Sequence, residues 1–283
     1  MSDKLKNMIT RAITGTLFVA AVVVCFMRPQ AMIFLFAVVT ALTVWEYTGL
    51  VNNIEGVCVN RFITTAAGTY LFLAFAGFCS NITPSAVFIP YLLTVVYLFI
   101  SELYTKAPNP INNWAYTMLS QLYIALPSAM INVVPFRSEG GVTVYASMLP
   151  LSISLFLWTN DTGAYCGGSL LHHRFPAKLF ERVSPKKSWV GSLSGGLLCL
   201  LAGYLFSLFC PGLLSLPQWL GMALVVCVFG TWGDLVESLL KRQLGVKDSG
   251  TLLPGHGGML DRFDSSLLAI PAVVIYLYTI QAF

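Results

Sequence analysis

The chain has 283 residues, of which 57% are hydrophobic and only 10% are Asp, Glu, Lys or Arg, with a formal net charge of +4 and a mean hydropathy of +0.76. A soluble domain carries about 25% charged residues because its surface faces water, and this chain has too few to cover such a surface. The same figures exclude disorder, collagen and coiled coil, and leave an all-α, polytopic integral membrane protein.

Crossing about 30 Å of hydrocarbon takes roughly 20 apolar residues. On that rule the sequence predicts about nine transmembrane helices, at 12–27, 31–50, 62–80, 85–104, 116–134, 144–161, 190–210, 218–240 and 265–282. Lys4, Lys6 and Arg11 precede the first run in the manner of a signal peptide, but no small-x-small cleavage site follows cleanly, so it reads as a retained helix. With the N-terminus in the cytoplasm, alternation through nine spans leaves only Arg28 and Arg137 outside and the other 14 basic residues inside. That asymmetry predicts a cytoplasmic N-terminus and a C-terminus outside. It also accounts for the net charge, although the excess would favour anionic head groups or nucleotides as well.

Residues 1–143 read as about five spans joined by short, sparsely charged loops. Residues 144–283 read as a catalytic region of about four spans, with cytoplasmic loops 162–189 and 241–264. No internal repeat is visible, which weakens the commonest transporter architectures. The seven cysteines show no C-x-x-C pair and read as small apolar fillers.

Polar residues inside or beside apolar runs are scarce enough to take singly. Glu46 stands at a cytoplasmic helix end, where a snorkelling role and a functional one are equally open. Asp161, beside Trp158 and Tyr165, either joins a polar cavity or caps a break before Gly163; the site role is the favoured one. His172 and His173 read as solvated loop residues, having no third ligand nearby.

The stretch 230–264 carries most of the chemistry. Helical spacing puts Asp234, Glu237, Ser238, Lys241 and Arg242 on one face, with Leu235, Val236, Leu239 and Leu240 making the other apolar. A carboxylate at the centre of a span costs about 2.5–3.5 kcal/mol on insertion scales. Two on one stripe imply a wet cavity, or else a solvated helix end with intrahelical ion pairs. A loop follows with Gly250, Pro254, Gly255, Gly257 and Gly258, and ends in Asp261-Arg262-Phe263-Asp264. Glycines let backbone N–H groups approach an anion closely. Asp261 and Asp264 point the same way if a helix begins there, and with Asp234 they form an oxygen donor set suited to Mg²⁺. Lys241, Arg242, Lys247 and Arg262 surround these acids with cations. Acids for a metal beside cations for phosphates compose a phosphoryl or nucleotidyl transfer site. His256 is either a donor to phosphate or a turn residue.

The run Ser238-Leu-Leu-Lys241-Arg242, Lys247-Asp248-Ser-Gly250, Pro254-Gly255-His256-Gly257-Gly258 and Asp261-Arg262-Phe-Asp264 resembles the signature of the phosphatidate cytidylyltransferases, or CDP-diacylglycerol synthases. A second block is similar as well: Trp158-x-x-Asp161-x-Gly163-Ala-Tyr165, then Ser184-Pro185-Lys186-Lys187-Ser188-Trp189-x-Gly191 and Gly195-Gly196. Trp45-Glu46-Tyr47 resembles a weaker family element. The likeness covers mainly residues 145–275.

The resemblance implies a reaction in which CTP and phosphatidate give CDP-diacylglycerol and pyrophosphate, with Mg²⁺ as cofactor and room for a second cation. It implies Asp234 and Asp261 as metal ligands with Asp264 as a third, and Lys241, Arg242 and Arg262 as phosphate-binding groups. Lys247 and Asp248 would orient the loop or the nucleotide, with His256, Gly257, Gly258 and Asp161 also lining the substrates. Ser184, Lys186, Lys187 and Ser188 would form a second anion-binding loop, for CTP or for the lipid phosphate; the sequence does not decide which. The expected setting is the cytoplasmic face of a bacterial inner membrane, without nucleic acid; a homodimer is compatible with a sequence that does not give the oligomeric state.

Two rivals remain at this level. A CTP-dependent polyprenol or phytol kinase needs the same reactants but releases CDP. A transporter of anions or lipid phosphates would use the same charges but must expose its site to both sides, whereas the polar residues here gather at one face.

Overall fold

The computed structural model describes residues 3–171, 173–252 and 257–282, with residues 3–11 by their backbone alone. It is mostly helical, as the sequence predicts. The chain forms two compact units, Met1–Phe136 with Leu244–Phe263, and Arg137–Gln243 with Asp264–Phe283.

The first unit contains α1 (Asp3–Phe26), α2 (Pro29–Val51), α3 (Arg61–Cys79), α4 (Ile89–Thr105), α5 (Pro110–Leu119) and α6 (Leu126–Met130). Pro29 opens α2, where its missing N–H costs nothing, and Asn60 caps α3 by accepting from Ile63 N. The core forms where α2 and α3 meet α6 and the turn before it: Tyr47, Val44, Phe72 and Ala125 are fully buried. Gln121 donates to the Thr64 carbonyl at 3.0 Å, which satisfies a polar group in this apolar setting. Phe263 packs edge-on against Phe18 and Phe36, and so ties the end of the Leu244–Phe263 segment to α1 and α2.

The predicted span 116–134 is helical but not a single α-helix. Between α5 and α6 the ladder widens to a π-turn over Ser120–Ala125, and a 3₁₀ turn follows at Ile131–Val133. The cause is Pro127, which has no N–H for the carbonyl one turn before it.

The second unit contains, from the second residue of β1 (Phe136–Glu139) onward, a hairpin of β1 and β2 (Val142–Tyr145), then α7 (Met148–Leu171), a hairpin of β3 (Lys178–Phe180) and β4 (Ser184–Ser188), α8 (Trp189–Phe209) and α9 (Leu216–Gln243). Helix α10 (Leu260–Thr279) begins in the first unit and continues in this one. Fully buried Trp219 meets Phe156 and Phe206 at the centre of the unit. Glycines set the helix approaches. A Cβ on Gly195 would collide with Asn160, one on Gly163 with the Gly195 backbone, and one on Gly233 with the backbone of Asp264 and Ser265. Small residues four apart, Gly163 and Gly167 on α7 with Gly191 and Gly195 on α8, allow the close crossing familiar in membrane helices.

Two expectations need correction here. The predicted sixth span, 144–161, begins late because Gly140 and Gly141, at φ of 59° and 83°, turn the β1–β2 hairpin. Nor is there a break for Asp161 to cap before Gly163. Helix α7 runs through to Leu171, so the first ten residues of the predicted loop 162–189 are helical.

Among the described residues, five helical segments are long and apolar enough to cross a membrane: Pro29–Val51, Arg61–Cys79, Ser85–Thr105, Trp189–Phe209 and Leu216–Gln243. The third of these, which joins the 3₁₀ turn Ser85–Phe88 to α4, leaves most of its apolar side chains uncovered, as a lipid-facing helix does.

Candidate active site

In the second unit the polar stripe of α9 forms as its spacing predicts. Lys187 reaches Asp234 with Nζ 2.6 Å from Oδ2, and Ser238 donates to Asp234 Oδ1 at 3.1 Å. One turn on, Lys241 lies 2.6 Å from Glu237 Oε2. Glu237 is fully buried and Lys241 nearly so, so this pair has been taken out of water. Arg242 is exposed at the end of the helix. Asp264, half-buried, interacts electrostatically with Asp234, Asp161 and Lys241, and its Oδ1 accepts from Ser265 N.

The basic run lies on β4, which pairs antiparallel with β3. Ser188 ends the strand and caps α8, accepting from Gly191 N at 3.2 Å. The N-terminus of α8 therefore follows directly on Lys186 and Lys187, and its dipole adds to their positive field. A cavity of about 190 Å³ opens here, lined by Asn160, Asp161, Ala164, Tyr165, Gly168, Lys186, Lys187, Ser188, Gly191, Ser192 and Thr231. Asp161, Lys186, Lys187 and Ser188, singled out from the sequence, share this cavity. Ser184 lies further back on β4, half-buried. Asn160, which the sequence did not single out, is held by Thr231 and Cys227 at 3.3 and 3.1 Å.

In the first unit the glycine-rich segment is organised by two carboxylates. Asp261 Oδ2 accepts from the backbone N–H groups of Ser249 and Gly258, each at 2.8 Å, and from Ser249 Oγ at 3.0 Å. Glu46 accepts from Met259 N at 2.8 Å, Leu260 N at 3.0 Å and Ser249 Oγ at 3.1 Å. Glu46 thus satisfies N–H groups that the start of α10 leaves without intrahelical partners, and adds a negative charge at the positive end of the helix. The glycines follow from this arrangement. Gly257 has φ of 84°, and a Cβ on Gly258 would meet Glu46, Ser249 Oγ and the Gly250 backbone. Lys247, Asp248 and Arg262 are exposed on this unit, and His256 lies outside the described residues.

Sequence reasoning left Glu46 undecided and did not place Glu237 in the site. The available signals were a carboxylate at the end of an apolar span in one case and the i,i+4 spacing to Lys241 in the other.

The donor set in the second unit suits a hard cation in its chemistry. Asp234 and Asp264 offer oxygen only, and each raises the local negative potential on the other. Among the described residues, no three His, Cys, Asp or Glu side chains come together as a cage. Mg²⁺ tolerates that, since it takes one or two carboxylates and completes its shell with water and phosphate oxygens.

The sequence model of the cytidylyltransferase family matches residues 9–280. The chain belongs to the cytidylyltransferase family. It is similar to the phosphatidate cytidylyltransferase of Haemophilus influenzae, with 28% identity over 278 residues covering 92% of this chain and 95% of that protein. The phosphatidate cytidylyltransferase of Staphylococcus aureus strain COL is 39% identical over 166 residues, 58% of each chain. That of a Staphylococcus epidermidis strain is 37% identical over 163 residues, again 58% of each. The match thus spans nearly the whole Haemophilus relative and less than two thirds of the staphylococcal ones. The family and the relatives it resembles make the chain an enzyme, a cytidylyltransferase.

Proposed function

We propose that this protein transfers the cytidylyl group of CTP to phosphatidate, giving CDP-diacylglycerol and pyrophosphate. The observation that carries the reading is the cavity where basic β4 meets acidic α9 through Lys187 and Asp234. The similarity to enzymes named phosphatidate cytidylyltransferase points the same way.

Both reactants are anionic, so the work of the site is to neutralise charge and align the reacting groups. A phosphatidate oxygen forms a bond to the α-phosphorus of CTP, and the bond from that phosphorus to the β-phosphate oxygen breaks, releasing pyrophosphate. No side-chain nucleophile is needed, because a phosphomonoester with a second pKa of about 6 is largely dianionic at pH 7. Lys186, Lys187, Ser184 and Ser188 bind phosphate oxygens, as do Lys241, Arg242 and Arg262. Lys247, Asp248, His256, Gly257 and Gly258 shape the loop that meets the substrates. Asp234 and Asp264 would hold Mg²⁺, while Asp261, which the sequence pattern assigns to the metal, accepts from Ser249 and Gly258 in its own unit. When bound, the ion supplies positive charge to the phosphate oxygens. Lys187, paired with Asp234 and lining the cavity, is placed to bind a substrate phosphate there.

In this reading the nine helical segments cross a bacterial inner membrane with the N-terminus inside and the C-terminus outside. CTP then arrives from the cytoplasm and the lipid arrives laterally.

The test is to incubate the purified full chain in detergent with CTP, phosphatidate and Mg²⁺. Equimolar pyrophosphate and CDP-diacylglycerol are expected. CDP release with a lipid alcohol would replace the reading by a lipid kinase, and no product with either lipid would overturn it.

A further inference from the structure

A groove of about 350 Å³ lies in the second unit, lined by Phe180, Arg182 and Val183 of the β3–β4 hairpin, by Trp232, Leu235, Val236 and Leu239 of α9, and by Leu268 of α10. Its floor is covered, with Val183 and Leu235 7% and 8% exposed. Its walls stand open, with Phe180 and Trp232 54% and 50% exposed. The one charged lining residue is Arg182.

The groove shares two elements with the polar cavity. On α9, Thr231 lines the cavity while Trp232 and Leu235 line the groove; on the hairpin, Val183 lines the groove while Lys186 and Lys187 line the cavity. The Lys187–Asp234 ion pair joins the same hairpin to the same helix. One helix and one hairpin thus present an anion-binding cavity and an apolar groove with a cationic rim. Helix α9 is also long and apolar enough to span a membrane. That combination matches a molecule with a phosphate head and a hydrocarbon tail.

We infer that the groove seats an acyl chain of the phospholipid substrate, with Arg182 at its rim facing the anionic headgroup. This rests on the proposed function for the identity of the substrate, but binding can be read without turnover. Phosphatidate carrying a photoactivatable acyl chain should label the peptide containing residues 232–239 of the full chain in detergent. Labelling should exceed that by phosphatidylcholine with the same chain at least about fivefold, given the charge match at Arg182. Leu239→Trp and Val236→Trp, which fill the groove, should remove this excess. Leu197→Trp, on an exposed apolar position of α8, should retain it. Equal labelling by both lipids, meaning bulk lipid only, would overturn the assignment, as would undiminished labelling of the filled variants.

Turnover provides an independent arm. The two groove variants should lower kcat/KM for a long-chain phosphatidate about tenfold relative to a six-carbon-chain phosphatidate, since hydrophobic pockets discriminate by chain contact. An unchanged ratio would overturn the inference while leaving the proposed function standing. Labelling of the groove without any turnover would leave the groove standing and sink the proposed function.

Discussion

In the first unit, Glu46 and Asp261 meet the backbone N–H groups of Ser249, Gly258, Met259 and Leu260. In the second, Asp234 meets the ammonium of Lys187, Glu237 that of Lys241, and Asp264 the field of Asp234 and Asp161. The residue types are the same and the partners differ in kind. Neutral backbone donors are fixed in place, so carboxylates bound to them hold the shape of a loop and the start of a helix. Charged side-chain partners are not part of the backbone, and on the proposed function the Lys187–Asp234 pair is the one that would open to a phosphate or a metal ion. The comparison separates acids that hold shape from acids that can handle charge.

If it is right, substitutions in the second unit should strike turnover and spare stability. Asp234→Asn should lower turnover about a thousandfold or more, the scale of losing a principal electrostatic contact, with an unchanged melting temperature in detergent. Full activity would remove Asp234 from the site. Lys187→Met should lower kcat/KM about a hundredfold by the same reasoning, chiefly through KM for the substrate whose phosphate it binds. A fall in Tm instead would make the pair a structural one.

In the first unit the opposite pattern is expected. Asp261→Ala removes the one oxygen that accepts from Ser249 N, Ser249 Oγ and Gly258 N, and should cost about 2–3 kcal/mol of stability together with activity. If Tm holds while turnover vanishes, Asp261 belongs with the charge-handling acids and the comparison fails there. Glu46→Gln, which keeps one acceptor oxygen but turns an amide N–H₂ towards a donor held by the other and loses the charge, should cost about 1–2 kcal/mol by chemical denaturation. The smallest effect concerns Arg61, whose guanidinium lies 4.0 Å from the centre of the Trp45 ring and donates to the Trp45 carbonyl. Arg61→Lys should cost about 0.5–1 kcal/mol and leave turnover alone; a large activity loss would extend the site to α3.

The legible parts were those with local patterns. Apolar runs located the helical segments because lipid demands an unbroken apolar stretch from each. The five-residue polar stripe of α9 was legible because helix periodicity places side chains without any knowledge of neighbours. Gly140-Gly141 also carried a local signal, a primed-turn dipeptide, that the span count passed over. Gly163 was misread for a different reason. A glycine at a break and a glycine at a close helix crossing look alike in one sequence, and only the presence of α8 distinguishes them.

The sequence by itself determined the membrane class, the helical segments, the face on which α9 carries its charges and the motifs of the cytidylyltransferase family. These depend on composition and on spacings within one element. Only the tertiary structure decided that Lys187 pairs with Asp234, that Gly258 must lack a Cβ, and that Glu46 caps α10 from 214 residues away. A carboxylate takes whichever donors the fold delivers to it, and no periodicity along the chain encodes a partner so distant.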